Sequence, residues 1–260
     1  MVLRRLTKHV KDQNWFAVGL DFVIVVTGVF IGLQASNWND DRETRQRAAV
    51  FSERLTQDLR YEAWAYEYLI AYNRDVRAGA KAAIDALSGT GPLSDEQFLV
   101  SAYRATQYKY MDRNRATFDE LISTGDIGLI ASDKLRATAV SIYTTTLIDV
   151  IADEGREAPI RTLFRRRVPA DVQQALLEKC GDRFAPTGDY EAIIGSLAYP
   201  CELGLAPDAI AAAATLLRTD AGIVEALQIR FADVETAITD LETVNADTLK
   251  SLRTIAGRNP

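Results

Sequence analysis

At 260 residues, 48% of them hydrophobic and 25% charged, the chain is long enough for one sizeable domain or two small ones. Its net charge of −6 argues against a protein built to neutralise nucleic-acid phosphates, and no nucleic-acid partner is expected. With only 7 prolines and 15 glycines, and Ala, Leu, Arg, Glu and Asp dominant, the composition favours helices.

Charge is unevenly placed along the chain. Residues 1–14 carry Arg4, Arg5, Lys8 and Lys11 against Asp12 alone, and they read as a basic cytoplasmic tail. An apolar run follows over roughly 16–36, FAVGLDFVIVVTGVFIGLQAS. A helix of about 20 residues covers the roughly 30 Å hydrocarbon core of a bilayer. Trp15 and Trp38 stand at its two ends as interface anchors, so the anchor is placed at 15–38. The basic tail before it and Asp40 and Asp41 after it put the N-terminus in the cytoplasm and residues 39–260 on the other side. A cleaved signal peptide is the competing reading, but the run is longer than the usual h-region, and Leu33-Gln34-Ala35 is a poor cut site.

At about 100° per residue, Asp21, Val25, Gly28, Gly32 and Ser36 share one face of this helix, with Gly28 and Gly32 in a GxxxG pair. Small residues let helices approach closely, and a carboxyl group in a span is costly without a partner. The face reads either as a docking stripe for a membrane-protein partner or a second copy, or as Asp21 reaching back to the interface beside ordinary membrane glycines.

Cys180 and Cys201 both follow the span, in what the topology makes an oxidising compartment, and a disulfide between them is expected. Two buried free thiols are the alternative. The intervening segment holds prolines and glycines, so a staple would help order it.

The exported part reads as all-α, a periplasmic helical bundle with two long heptad-patterned helices. The first covers 40–88, its seam running through Leu55, Leu59, Glu62, Tyr66, Leu69, Asn73, Val76, Ala80, Ala83 and Leu87, and it stops at Ser88-Gly89-Thr90-Gly91-Pro92. Ser94 and Gln97 form a capping-box pattern opening a helix over 95–110. A third helix over 114–124 ends at Gly125. Ser132 or Asp133 caps the next, which runs toward Gly155, Pro169 introduces one over 170–180, and Pro207 opens one to about 217. The last spans 220–256 with a seam through Val224, Leu227, Phe231, Val234, Ile238, Leu241, Asn245, Thr248, Leu252 and Ile255. Each seam carries one Asn, Asn73 or Asn245, of the kind that fixes register. The two long helices are expected to pack on each other within the chain; self-association of one of them is the alternative. Tyr61, Trp64, Tyr68 and Tyr72 line a second face of the first long helix, either sandwiched inside the bundle or exposed as a partner face.

Chemistry is sparse. The single histidine, His9, lies in the basic tail, so no Ser-His-Asp or Cys-His pairing reaches the exported part. No zinc-type His/Cys cluster, EF-hand spacing or P-loop occurs, and neither metal nor cofactor is expected. Arg165-Arg166-Arg167 reads as a solvated helix end or as a contact for an anionic partner.

Two stretches, HVKDQNWFAVGLDFVIVVTGVFIGLQASNWND and TFDELISTGDIGLIASDKLRATAVSIY, resemble a family of bacterial inner-membrane proteins known only as a domain of unknown function. By that resemblance Asp21, Gly28, Gly32, Asn37, Trp38 and Asn39, with Glu120, Leu121, Ser123, Thr124, Gly125 and Leu129, belong to the family's pattern. The resemblance implies a single span near Asn-Trp-Asn, a helical remainder and a Gram-negative setting, with no catalytic residue. The expected function is a non-enzymatic accessory or scaffolding subunit. A periplasmic ligand sensor working through a partner is the alternative, and an enzyme comes behind both.

Overall fold

In a computed structural model, which describes residues 15–258, every regular element is helical. The first helix, α1, runs unbroken over Trp15–Ser88. It is followed by α2 (Asp95–Ala105), α3 (Ala116–Thr124), a short 3₁₀ turn (Asp126–Leu129), α4 (Asp133–Thr144), α5 (Leu147–Glu157) and α6 (Pro159–Arg167). Then come α7 (Ala170–Cys180), α8 (Tyr190–Leu197), α9 (Pro207–Arg218), α10 (Ile223–Thr239), a π turn (Asp240–Val244) and α11 (Ala246–Ile255). The contacts divide the chain into two units: residues up to Ser52 with Gly128–Ala131, and Glu53–Ile127 with Ser132 onward.

Local signals account for most helix ends. The Ser94 hydroxyl accepts from the Gln97 N–H at 3.2 Å, and the Ser94 N–H donates to Gln97 Oε1 at 3.0 Å, a complete capping box that starts α2. Ser132 caps α4 by accepting from the Leu135 N–H at 3.2 Å, which settles the choice between Ser132 and Asp133. Gly125 closes α3 at φ 76°, a left-handed position that a side chain would strain.

Three helices end sooner than their patterns predict. The segment expected over 95–110 stops at Ala105, where Thr106 turns its hydroxyl back onto the Tyr103 carbonyl at 2.7 Å. The helix expected to run toward Gly155 breaks after Thr144, and the Thr145 hydroxyl accepts from the Leu147 N–H at 3.2 Å as α5 begins.

The last long helix is also interrupted. At the π turn the Asn245 N–H reaches back five residues to the Asp240 carbonyl at 3.0 Å, and the Asn245 amide donates to the same oxygen at 2.8 Å. The Leu241 carbonyl accepts instead from the Tyr66 hydroxyl of α1 at 3.1 Å. Asn245 therefore serves the turn rather than the interhelical register, and Asn73 likewise donates within its own helix, to the Leu69 carbonyl at 2.8 Å. The predicted seam holds through Leu227, Val234, Ile238, Leu241 and Leu252. It misplaces Val224, which is exposed where Ile223 is buried.

Within the second unit, the seam of α1 is the core. Leu55, Leu59, Val76, Ala80 and Ala83 are fully buried, and Tyr66 and Leu69 are 1% exposed. Each such leucine contributes about 1.5–3 kcal/mol relative to an exposed one. The second half of α1 runs antiparallel to α10 and α11: Arg77 bonds Glu235 at 3.2 Å, Arg74 pairs with Glu242, and Arg253 with Glu67. These partly exposed pairs fix direction more than they add stability. The other wall of the core comes from Phe98, Leu99 and Ala102 of α2, Phe164 of α6, Leu176 of α7, Ala213, Ala214 and Leu217 of α9, and Leu227 of α10. Close approach of α1 and α2 depends on Gly79, where an added Cβ would lie 2.9 Å from both Arg104 Cβ and the Ser101 carbonyl oxygen.

Candidate functional site

The first candidate surface lies on α1. Phe22, Val23, Ile24, Val25, Phe30 and Leu33 are each between 58% and 69% exposed. The run Val23-Ile24-Val25-Val26-Thr27 is β-branched throughout, a poor choice for a helix held up by water alone. From Phe22 onward α1 contains a stretch of mean hydropathy 1.3 with no part of it buried. A second stretch within Asp133–Arg167 reaches 1.2 but is 44% buried, and its Ile148, Ile151 and Ile160 are core residues.

On the predicted stripe, a Cβ added at Gly28 or Gly32 would meet nothing within 4 Å, Val25 is 63% exposed, and Ser36 is exposed. The face is open. The side chains of Trp15 and Asp21 lie outside the described residues. Trp38 is exposed at 65%.

The second candidate, the aromatic face of α1, is interior. Trp64, Tyr68 and Tyr72 are 4%, 3% and 1% exposed and pack with Met111, Ala185, Ile193, Leu197, Val234 and Ile238, while Tyr61 is half-buried at the edge. Tyr61, Trp64, Tyr68 and Tyr72 are thus not an exposed partner face, because the loop and helix that follow α7 already cover them. Trp64 Nε1 donates to the Asp189 carbonyl at 3.2 Å, and the Trp64 and Tyr68 rings meet edge-on with centroids 5.4 Å apart.

That covering loop is the one the cysteines close. Cys180 and Cys201 sit at disulfide distance with Cα atoms 5.3 Å apart. Two residues past Cys180, Asp182 accepts from the Tyr72 hydroxyl at 3.0 Å and from Arg104 Nη1 at 3.1 Å, and Lys109 Nζ stands 3.7 Å away. Arg104 Nε in turn meets Asp75 Oδ2 at 2.7 Å. Burial, outweighing the adjacent Arg104, raises the Asp75 pKa, and burial with Asp182 raises that of Tyr72. A cleft of about 260 Å³ opens beside this network, lined by Asp75, Gly79, Arg104, Tyr199 and both cysteines.

A buried acid sits in the seam itself. Glu62, 1% exposed, accepts from Arg113 Nε at 3.0 Å and from the Asn114 N–H at 2.8 Å. Arg113 also donates to the Ile142 carbonyl, and the Tyr143 hydroxyl donates to the Asn114 carbonyl at 2.7 Å. Burial pushes the Glu62 pKa up despite these donors. The arrangement ties α1 to the 113–114 segment and to the end of α4.

The end of α2 is held by two arginines. The carbonyls of Ala105 and Gln107 accept from Arg230, at 3.3 and 2.9 Å, and that of Thr106 from Arg161 at 3.0 Å. These are oxygens a helix leaves unpaired at its C-terminus, where positive charge is favoured. Of the basic run, Arg167 pairs with Asp220, whereas Arg165 lines a cleft with Arg161. Among the described residues no group of His, Cys, Asp and Glu is placed to hold a metal ion. No family model, no curated protein and no solved structure matches the chain.

The sequence reading missed Asp182, Asp75, Arg104 and Arg230. Only Glu62 left a signal, as an acid at a seam position between Leu59 and Tyr66. The others lie far apart in the chain, and no periodicity marks them.

Proposed function

We propose that the chain is a non-enzymatic, membrane-anchored accessory or scaffolding protein of a Gram-negative inner membrane. Its N-terminus lies in the cytoplasm and its helical remainder in the periplasm. The observation that carries this reading is the fully exposed apolar stretch of α1, which contrasts with the partly buried stretch of similar hydropathy in Asp133–Arg167. A β-branched helix with its apolar side chains on the outside suits a lipid solvent, where the backbone must satisfy its own hydrogen bonds. The Cys180–Cys201 pair supports the oxidising side for the remainder. The use of Glu62, Asp75 and Asp182 by arginines and a tyrosine supports a structural role for these acids.

The test is extraction with alkaline carbonate. The native chain is expected to stay in the membrane pellet with its cysteines protected from alkylation. Substituting Val26→Arg together with Val29→Arg costs about 2.5–3.5 kcal/mol per residue at a helix centre. That variant is expected to leave the pellet and present alkylatable thiols. Release of the native chain by carbonate would sink the anchor.

The scaffolding part of the proposal places a partner helix, or a second copy, on the Asp21, Val25, Gly28, Gly32 and Ser36 face. After gentle detergent solubilisation, Gly28→Leu is expected to lose the species that co-elute with the native chain and to run at smaller size than it. An unchanged elution profile removes the stripe from the account.

A further inference from the structure

A cleft of about 270 Å³ lies between the end of α2 and helices α6 and α7, with Tyr103, Phe164, Arg161, Arg165, Gln174 and Leu177 on its walls. Tyr103 and Phe164, with ring centroids 6.1 Å apart, are core residues at 7% and 2% exposure and form the floor of the cleft. Leu177, on α7, is 66% exposed. Two guanidiniums line the cleft and no carboxylate does.

Among the described residues, neither Arg161 nor Arg165 forms an ion pair. Arg161 spends one donor on the Thr106 carbonyl at 3.0 Å and stacks 4.8 Å over the Tyr108 ring. The nearby Glu178 carboxylate is engaged by the Gln174 amide at 2.8 Å. Behind the wall lies Arg230, 3% exposed and bonded to the Ala105 and Gln107 carbonyls. Arg230 is offset by the nearby carboxylates of Asp233 and Glu154, so the positive charge left facing the cleft is that of Arg161 and Arg165. Burial, followed by the charge of Arg165, pulls the Arg161 pKa below the usual arginine value. Helix capping explains Arg230 and one donor of Arg161. With the stack on Tyr108 it accounts for the face of the Arg161 guanidinium, and it leaves the charge of Arg165 and the remaining Arg161 donors facing the cleft.

We propose that this cleft binds a small organic carboxylate, its charged end on Arg161 and Arg165 and its apolar or aryl body against the exposed Leu177, above the floor formed by Tyr103. The planar fork of arginine matches a carboxylate in two parallel hydrogen bonds, and the exposed Leu177 supplies apolar surface for the body. This site is independent of the membrane reading, since every residue in it belongs to the second unit.

The test uses the full chain in mild detergent and benzoate as the probe, followed by saturation-transfer NMR and calorimetry. Benzamide and inorganic phosphate serve as comparators. Benzoate is expected to bind in the millimolar range or tighter, and benzamide about tenfold or more weakly, because it lacks the charge. Arg165→Gln is expected to weaken benzoate about tenfold while leaving the melting temperature unchanged, since the exposed Arg165 head holds no other element in place. Absence of benzoate binding up to about 10 mM would overturn the proposal. So would an unchanged affinity in Arg165→Gln, or phosphate binding as tightly as benzoate, which would leave the apolar wall at Leu177 without a part.

Discussion

Replacing Glu62 by alanine is expected to destabilise the fold by about 3–5 kcal/mol, the usual result of removing one partner from a buried ion pair. The loss has two parts. Arg113, only 12% exposed in its side chain, would keep its charge without its carboxylate, and the Asn114 N–H would lose its acceptor. Urea unfolding of the full chain in detergent, followed by tryptophan fluorescence, should show the midpoint falling with the slope unchanged. A midpoint within error of the native protein would refute the account of this cluster.

Glu62→Gln separates charge from shape and brings in pH. Burial holds the folded pKa of Glu62 above its unfolded value of 4.5. The protonated form is therefore the one the fold prefers, and the stability it contributes is fully present below the unfolded pKa. That contribution is lost as pH rises through the folded pKa. The native chain should accordingly be most stable relative to Glu62→Gln at the acid end, with the gap narrowing as pH increases. A gap that widens with pH would mean that Arg113 and the Asn114 N–H outweigh burial.

The second large effect is expected at the disulfide. Cys180 and Cys201 are 21 residues apart in sequence, and closing a loop of that size restricts the unfolded chain by about 3 kcal/mol in the chain-entropy account. Cys180→Ser with Cys201→Ser, or reduction of the native chain, should lower the melting temperature accordingly. Amide exchange should then speed up first between residues 182 and 200, because Asp182 and Asp189 would hold Tyr72, Arg104 and Trp64 from a slack loop. Equal melting in oxidising and reducing buffer would count against the bridge as a contributor.

The helical class, the stop after Ser88, the capping box and the α1 seam were all legible in the sequence, because each is a short-range pattern of residue types. Asn245 shows where that kind of reading ends. Three-four spacing continues smoothly through it, yet its amide and N–H both go to Asp240, and the freed Leu241 carbonyl goes to Tyr66 on another helix. The choice between π and α there depends on a partner 175 residues away in sequence. The aromatic face teaches a similar lesson: Trp64, Tyr68 and Tyr72 read first as sandwiched in the bundle, with an exposed partner face as the alternative, and it is the tertiary path of the disulfide loop that covers them. The Arg161–Arg165 cleft was half visible, since the basic run drew notice, but Tyr103 of α2 and Leu177 of α7 meet it only in the fold and carry no sequence mark.

The π turn also gives the end of the chain a reading frame of its own. One residue more than an α-helix needs turns everything downstream by about 100°. The face presented by Leu249 and Leu252, and the reach of Arg253 to Glu67, are thus set by the count of residues between Asp240 and Asn245. Losing a single residue there would act as a frameshift does in a coding sequence. The composition of α11 would be untouched, yet its buried leucines would swing off the core and its arginine away from its acid.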